Sequence, residues 1–369
     1  MNPTVWIEIN LDAIRHNLRE VRRVVGDRVK ILAVVKSNAY GSGAVAVSKA
    51  VLAEGAESLA VTRFEDAVEL REASIDAPIL VFSPILPEHA AQSLDLGLDL
   101  TVCSAELARV LSAEAAARNK TARIHVKVDT GMGRLGVPAA DAVDFVKTVK
   151  SMPGLEVAGV YTHFATASEK DRSASIRQMA VFDELLNTLK ADGISYGMAH
   201  AAASAALLAM PDSRYDMVRP GTVLYGQYPS SHVPRPLNLK DPWTMKTRIV
   251  LVREVARGQS IGYGAEYHAK RDLRIAIIPV GYADGPTMQP ESVFRRNMAL
   301  KLARQVLPGS STALRVKIQG KHYPVVGRVA MEMCCVDITD NPIVQVGEEV
   351  VLPCRRTAAS SRIPRVYID

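Results

Sequence analysis

Eight short apolar runs, most of them separated by helical stretches, constrain the fold of this chain more than any other feature. They are Ile31–Val35, Ser58–Thr62, Ile79–Phe82, Leu98–Val102, Arg123–Val128, Val157–Tyr161, Gly197–Ala199 and Tyr215–Val218. Their length and β-branched content read as buried strands. The segment from about Leu11 to Val25 reads as a helix, as do the alanine-rich stretches Ala105–Ala117, Ala140–Val149 and Ile176–Lys190. This alternation predicts an α/β fold, a (β/α)8 TIM-type barrel. A doubly wound sheet would carry a glycine-rich dinucleotide fingerprint after its first strand, and Lys36–Gly43 does not match one.

The pattern changes at Val233-Pro234-Arg235-Pro236, a proline-punctuated linker. Beyond it Met245–Val255, Leu273–Val280, Leu314–Ile318, Val325–Val329, Cys334–Ile338 and Glu349–Leu352 read as strands, with turns at Asp284-Gly285 and Gln319-Gly320. The chain of 369 residues is long for one average domain. Two are expected: a barrel over residues 10–235, and a mostly β domain over 236–369 that Val5–Ile9 joins from the other end of the chain.

Composition narrows the function class. Hydrophobic residues at 48% and charged residues at 23% suit a soluble globular protein. No apolar run is long enough for a membrane span, and Met1–Trp6 lacks the basic and apolar regions of a signal peptide, so a cytoplasmic protein is expected. Cys103, Cys334, Cys335 and Cys354 show no Cys-x-x-Cys spacing, which predicts reduced thiols and no metal site. The net charge of +6 is scattered, and Arg22-Arg23 and Arg355-Arg356 are too short for nucleic-acid arms.

In a barrel of this kind, chemistry lies at the C-terminal ends of the strands. Lys36 ends the first strand, where low-dielectric walls favour the neutral amine that forms a Schiff base with an aldehyde. Lys127 and Arg134 lie at and after the fifth strand, and His163 follows the sixth. Ser204 follows the seventh, and Arg219 ends the eighth before Pro220-Gly221-Thr222. Lysine amines, two fixed arginine cations, an imidazole, a hydroxyl and a glycine turn facing one cavity would suit an aldehyde cofactor that carries a phosphate.

Several ordered motifs carry a resemblance. They are Lys36-Ser37-Asn38-Ala39-Tyr40-Gly41, Asp129-Thr130-Gly131-Met132-Gly133-Arg134, Thr162-His163-Phe164-Ala165, Val218-Arg219-Pro220-Gly221, Tyr263-Gly264, Gly281-Tyr282-Ala283-Asp284-Gly285 and Gly327-Arg328-Val329. With these the chain resembles the bacterial alanine racemases, pyridoxal-phosphate enzymes of the barrel type. The resemblance covers nearly all of the chain except the stretch near Met288–Ser311 and the C-terminal tail.

The resemblance implies that Lys36 holds pyridoxal 5'-phosphate as an internal aldimine and exchanges a proton on one face of the substrate Cα. Tyr263 is implied as the base on the other face, contributed by the partner of a homodimer. A phenol with a pKa of about 10 is a poor base in water, and the resemblance has His163 and Arg219 supply a cationic field beside it. Arg219 is also implied as the partner of the pyridine nitrogen. Because an arginine does not accept that proton, the ring stays largely unprotonated. Arg134 is implied to contact the cofactor phenolate and the substrate carboxylate, and Met331 to bind that carboxylate from the other subunit. Lys127 matches a position open to carbamylation, where the carbamate would hold Arg134. Tyr40, Ser204, Gly221 and Thr222 match the phosphate cradle. The implied product is D-alanine for peptidoglycan.

The chain departs from the family pattern at Ser37, Ser42, Ala203, Glu332 and Ser168, and has no Tyr-Pro-Arg run after Gly285. The tail from Cys354 is short, and Ser361 falls where a tyrosine is usual. Most of these changes concern the entrance or the substrate side. They leave open a gate altered toward serine or other small amino acids, beside simple drift in an alanine racemase. A barrel-type decarboxylase and a non-catalytic pyridoxal-phosphate carrier stand as the other readings.

Overall fold

The structure, a computed structural model, describes residues 3–285 and 314–369. The departure after Gly285 and the stretch near Met288–Ser311 lie outside the described residues. The chain divides into two compact units, Leu11–Pro242 and Met1–Asn10 with Trp243–Ile368. The first strand, β1 (Val5–Asn10), belongs to the second unit.

The first unit is the expected barrel. Its strands are β2 (Lys30–Val34), β3 (Ser58–Val61), β4 (Ile79–Val81), β5 (Asp99–Val102) and β6 (Ala122–Asp129), flanked by the short β7 (Val137–Pro138). They continue as β8 (Leu155–Tyr161), β9 (Met198–His200) and β10 (Met217–Val218). Eight of them pair in parallel in the order β10-β2-β3-β4-β5-β6-β8-β9. A bridge between Ala203 and Arg219 brings the two ends of that order together. Burial explains the strands. Ile31, Leu59, Ile79, Leu100, Ile124 and Val160 are fully buried or nearly so, each stabilising the core by about 1.5–3 kcal/mol relative to exposure.

Helices cover the strands. The helix Leu11–Val25 buries Ile14, Leu18, Val21 and Val25, a spacing that lines one face. Asp12 in its first turn and Arg22 and Arg23 in its last complement the helix dipole. The helix Ala105–Arg118 starts where Ser104 Oγ accepts the amide of Leu107 at 3.3 Å, and stops where Asn119 turns left-handed at φ 51°.

The second unit is mostly β. It contains β11 (Trp243–Arg248), β12 (Leu251–Val255), β13 (Ser260–Ile261), β14 (Tyr267–His268), β15 (Leu273–Ile278), β16 (Arg315–Ile318), β17 (Lys321–Val326), β18 (Cys334–Asp337), β19 (Glu349–Leu352) and β20 (Arg365–Ile368). Nine strands form one sheet in the order β12-β15-β18-β17-β16-β19-β11-β1-β20. β1 lies antiparallel to β11 and parallel to β20, with Ile7 opposite both Met245 and Arg365.

Two details differ from the sequence reading. Met245–Val255 is two strands, because the chain leaves β11 at Ile249 and turns back to pair β12 with β15. The strand expected at Val325–Val329 ends at Val326, and Gly327 takes a left-handed φ of 72° that halts it.

Candidate active site

Lys36 stands two residues beyond Val34, the last of β2. The next four residues, Ser37, Asn38, Ala39 and Tyr40, all hold positive φ between 51° and 54°. Such a left-handed turn costs roughly 1–2 kcal/mol per non-glycine residue, so neighbours must hold it. The amide of Ala39 donates to Val35 O at 2.8 Å, that of Gly43 to Asn38 O at 3.0 Å, and that of Ala44 to Asn38 Oδ1 at 2.7 Å. The Tyr40 ring stacks on Tyr225 at 4.5 Å, and Tyr225 Oη donates to Val34 O at 2.9 Å. The turn carries Lys36 and Tyr40 into one cavity.

That cavity has a volume of about 620 Å³ and lies wholly within the barrel unit. Lys36, Lys127, Arg134, His163, Ser204 and Arg219 all line it, as do Tyr40, Gly221 and Thr222. Among the described residues, no aspartate or glutamate lines it. Tyr263 and Met331 belong to the β unit, where they are 67% and 57% exposed and line a shallow pocket with Asp284 and Glu332.

The basic groups strain one another. Burial first, and then the nearby Arg134 cation, lowers the Lys36 amine from its ordinary range. Lys127 is pushed well below its ordinary value by burial and by Arg219 and Arg134, while its ammonium sits 4.5 Å above the Tyr161 ring. Burial lowers Arg219 to about 10, which leaves it charged at neutral pH. His163 falls to about 3 through burial and the cations Arg219, Lys127, Arg134 and Lys36. The positive field around His163 comes from its basic neighbours Arg219, Lys127, Arg134 and Lys36. His163 enters it as a neutral imidazole, because a further charge among four cations is too costly.

Arg219 is held rigidly. Its Nη2 donates to Thr162 O and Ala201 O, each at 2.8 Å, and lies 3.4 Å from His163 Nδ1. Its Nη1 donates to His200 Nδ1 at 2.8 Å. The loop after β6 is shaped by Asp129, whose carboxylate accepts the amides of Gly131, Met132 and Gly133 at 2.8–3.0 Å. Burial opposes that charge, but the three amides hold the carboxylate below its usual range. Gln178 clamps the loop after β8, donating to His163 O at 3.1 Å and accepting the amide of Ala165 at 2.9 Å.

One corner of the cavity brings hydroxyls against close-packed backbone. Ser204 Oγ accepts the amide of Gly221 at 2.9 Å, and a Cβ at Gly221 would stand 2.5 Å from Tyr40 Oη. Close backbone, two hydroxyls and a surplus of positive charge match a phosphate.

Sequence reasoning did not single out Tyr161, His200 or Gln178. Their signal is polarity at alternate strand positions or inside a buried helix face. Among the described residues, no group of three or more His, Cys, Asp or Glu is placed to hold a metal, and no helix is long and apolar enough to cross a membrane.

Residues 9–229 match the family model described as alanine racemase, N-terminal domain, and residues 243–365 match alanine racemase, C-terminal domain. An alanine racemase of Desulforamulus reducens is 40% identical, with both chains fully covered. One of Methanococcus maripaludis is 38% identical over 94% of this chain and 88% of its own. The solved alanine racemase of Clostridium difficile 630 superposes with a TM-score of 0.88 at 30% identity, covering 100% of this chain and 96% of that one. A Bacillus anthracis alanine racemase with bound L-Ala-P gives a TM-score of 0.85 at 31% identity, covering 100% and 96%. The match over both units leaves the carrier reading, which lacks a β domain, without support. The chain belongs to the alanine racemase family.

Proposed function

We propose that this chain interconverts L-alanine and D-alanine with pyridoxal phosphate, the cofactor of its family. The observation that carries the reading is the cavity itself: a lysine amine lowered by burial, three further basic side chains and a polar corner at Ser204 and Gly221, with no carboxylate in the wall among the described residues. When bound, pyridoxal phosphate joins an amine and accepts the electron pair left at Cα as its proton departs.

The geometry supports the following roles. Tyr40 Oη, Ser204 Oγ and the turn at Gly221 and Thr222 would bind phosphate. Lys36, held by the left-handed turn, hands over its proton from one face of Cα. Burial and the Arg134 cation lower its pKa, which eases release of that proton. Arg219 presents only donors, so a ring nitrogen facing it keeps its lone pair. That weakens electron withdrawal and limits side reactions. Arg134 supplies a cation to the substrate carboxylate. Lys127 gains most by becoming a carbamate, which would replace a strained cation with an anion between Arg134 and Arg219.

Inversion needs a second proton donor on the opposite face of Cα. Tyr263 is the candidate, with Met331 binding carboxylate beside it. Both are exposed on their own unit, and a phenol acting as base needs cations around it. A two-fold homodimer that buries Tyr263 and Met331 against the partner's cavity would supply them. We place the enzyme in the cytoplasm, supplying D-alanine for peptidoglycan.

A second reading rests on the wall. Ser168 and Ala203 line the cavity and Glu332 lies beside Met331, so the substrate range extends to serine or other small amino acids.

Chiral chromatography of full-length protein with pyridoxal phosphate and L-alanine, beside Lys36→Ala and Tyr263→Phe, tests the proposal. Rapid D-alanine formation lost in both variants is expected. Carbon dioxide release without inversion would move the assignment to a decarboxylase.

A further inference from the structure

Below the cavity, the barrel interior holds a line of polar side chains that ends on the opposite face. Arg219 Nη1 lies 2.8 Å from His200 Nδ1, and His200 Nε2 lies 3.0 Å from His125 Nδ1. His125 Nε2 has no hydrogen-bond partner of its own and stands 3.4 Å from Asp99 Oδ2. The other Asp99 oxygen accepts Arg123 Nε at 2.9 Å, and Arg123 Nη1 meets Glu156 at 2.7 Å. Asp99, His125, His200 and Arg219 are all at least 95% buried. Asp99 opens β5, so it sits at the strand end opposite to Lys36.

Donor chemistry orients the whole line. A guanidinium only donates, so His200 Nδ1 is an acceptor and the proton of His200 is on Nε2. That proton makes His125 Nδ1 the next acceptor, and places the His125 proton on Nε2, aimed at the Asp99 carboxylate. Burial, with Arg219, His125 and Lys127 nearby, keeps His200 far below its ordinary pKa and so neutral. A carboxylate at the far end strengthens every acceptor before it. The scaffold makes room for this line. The register of β6 against β8 shifts between Ile124 and His125, and a Cβ on Gly159 would come within 2.4 Å of His125 Nδ1. Tyr161 lies parallel to His200 at 4.7 Å and shares a 2.7 Å hydrogen bond with Thr101.

We propose that Asp99, acting through His125 and His200, is a positioning residue for Arg219, fixing one tautomer along the line and thereby the orientation of the guanidinium against the cofactor ring. This rests on the reading that Arg219 faces the ring nitrogen. The 3.4 Å step from His125 to Asp99 is the longest in the line, and so the one most sensitive to change.

Nitrogen-15 spectra of the histidines in full-length protein, with and without pyridoxal phosphate, test it. In the wild type, His125 and His200 are expected as neutral imidazoles with the proton on Nε2. Asp99→Asn is expected to mix the His125 tautomers, shift His200 with them and lower kcat roughly tenfold, the lower end of what losing an orienting partner of a functional imidazole costs. Asp99→Glu restores part of both. An Nδ1–H tautomer or an imidazolium at either histidine of the wild type overturns the proposal even if no variant folds. A His200 signal indifferent to Asp99→Asn does so as well. The resonance of a labelled cofactor ring nitrogen reads Arg219 separately. A protonated ring in the wild type, with the tautomers as stated, means that the role given to Arg219 has failed and the line of histidines has not.

Discussion

Ser204 Oγ accepts the amide of Gly221 at 2.9 Å and so ties the turn after β9 to the turn after β10. Both belong to the corner proposed for phosphate. Ser204→Ala leaves a buried N–H without a partner, and is expected to weaken pyridoxal-phosphate binding roughly tenfold, for a hydrogen bond of about 1.5 kcal/mol. Gly221→Ala places a methyl group against Tyr40 Oη, whose ring is held by its stack on Tyr225. It is expected to weaken binding further. Fluorescence titration of the cofactor measures both.

His163 gives a pH dependence with a definite sign. Its folded value of about 3 lies below the ordinary histidine value, so between the two the unfolded chain binds more protons. Stability is full above about pH 6.5 and falls as the pH drops toward about 3, by up to about 1.4 kcal/mol per unit for this group. His200 acts in the same direction. Urea midpoints from neutral to mildly acidic pH are expected to fall less steeply in His163→Asn than in the wild type.

Lys127 predicts a stabilising substitution. A buried ammonium beside two arginines is costly, so Lys127→Met in carbonate-free buffer is expected to gain about 1–4 kcal/mol while losing activity. Added bicarbonate raises the melting temperature of the wild type and leaves that of the variant unchanged. Equal responses would remove the carbamate from the account.

Ala165, Ala167, Ser168 and Ala203 form one part of the cavity wall. A mostly apolar wall rejects an added hydroxyl weakly, by about 100-fold or less. L-serine is therefore expected within about 100-fold of L-alanine in kcat/KM, with larger amino acids excluded. Stronger discrimination would reveal a polar group that turns serine away.

The barrel was legible because most strands are short apolar runs and helical stretches separate most of them. The candidate site was legible as a set of residues where strands stop, and Lys36, Arg134, His163, Ser204 and Arg219 line one cavity. The left-handed turn at Ser37–Tyr40 was not, since none of those four residues is glycine and only the surrounding contacts make the conformation tolerable. Asp99, His125 and His200 were also missed. They lie inside strands that read as apolar, and their signal is a polar residue at every second position, as in His125 and Lys127 or Asp99 and Thr101. The neutrality of His163 depends first on burial and then on basic groups brought together from several strand ends, which no local pattern records.

The place of β1 between β11 and β20 has a consequence for biogenesis. During vectorial synthesis it leaves the ribosome before either neighbour exists, and its partners are encoded beyond the whole barrel. Trp6, Ile7 and Ile9, all buried in the finished sheet, must stay unpaired while the barrel is made. This strand, rather than the active site, is where a nascent chain is most open to aggregation or to capture by a chaperone.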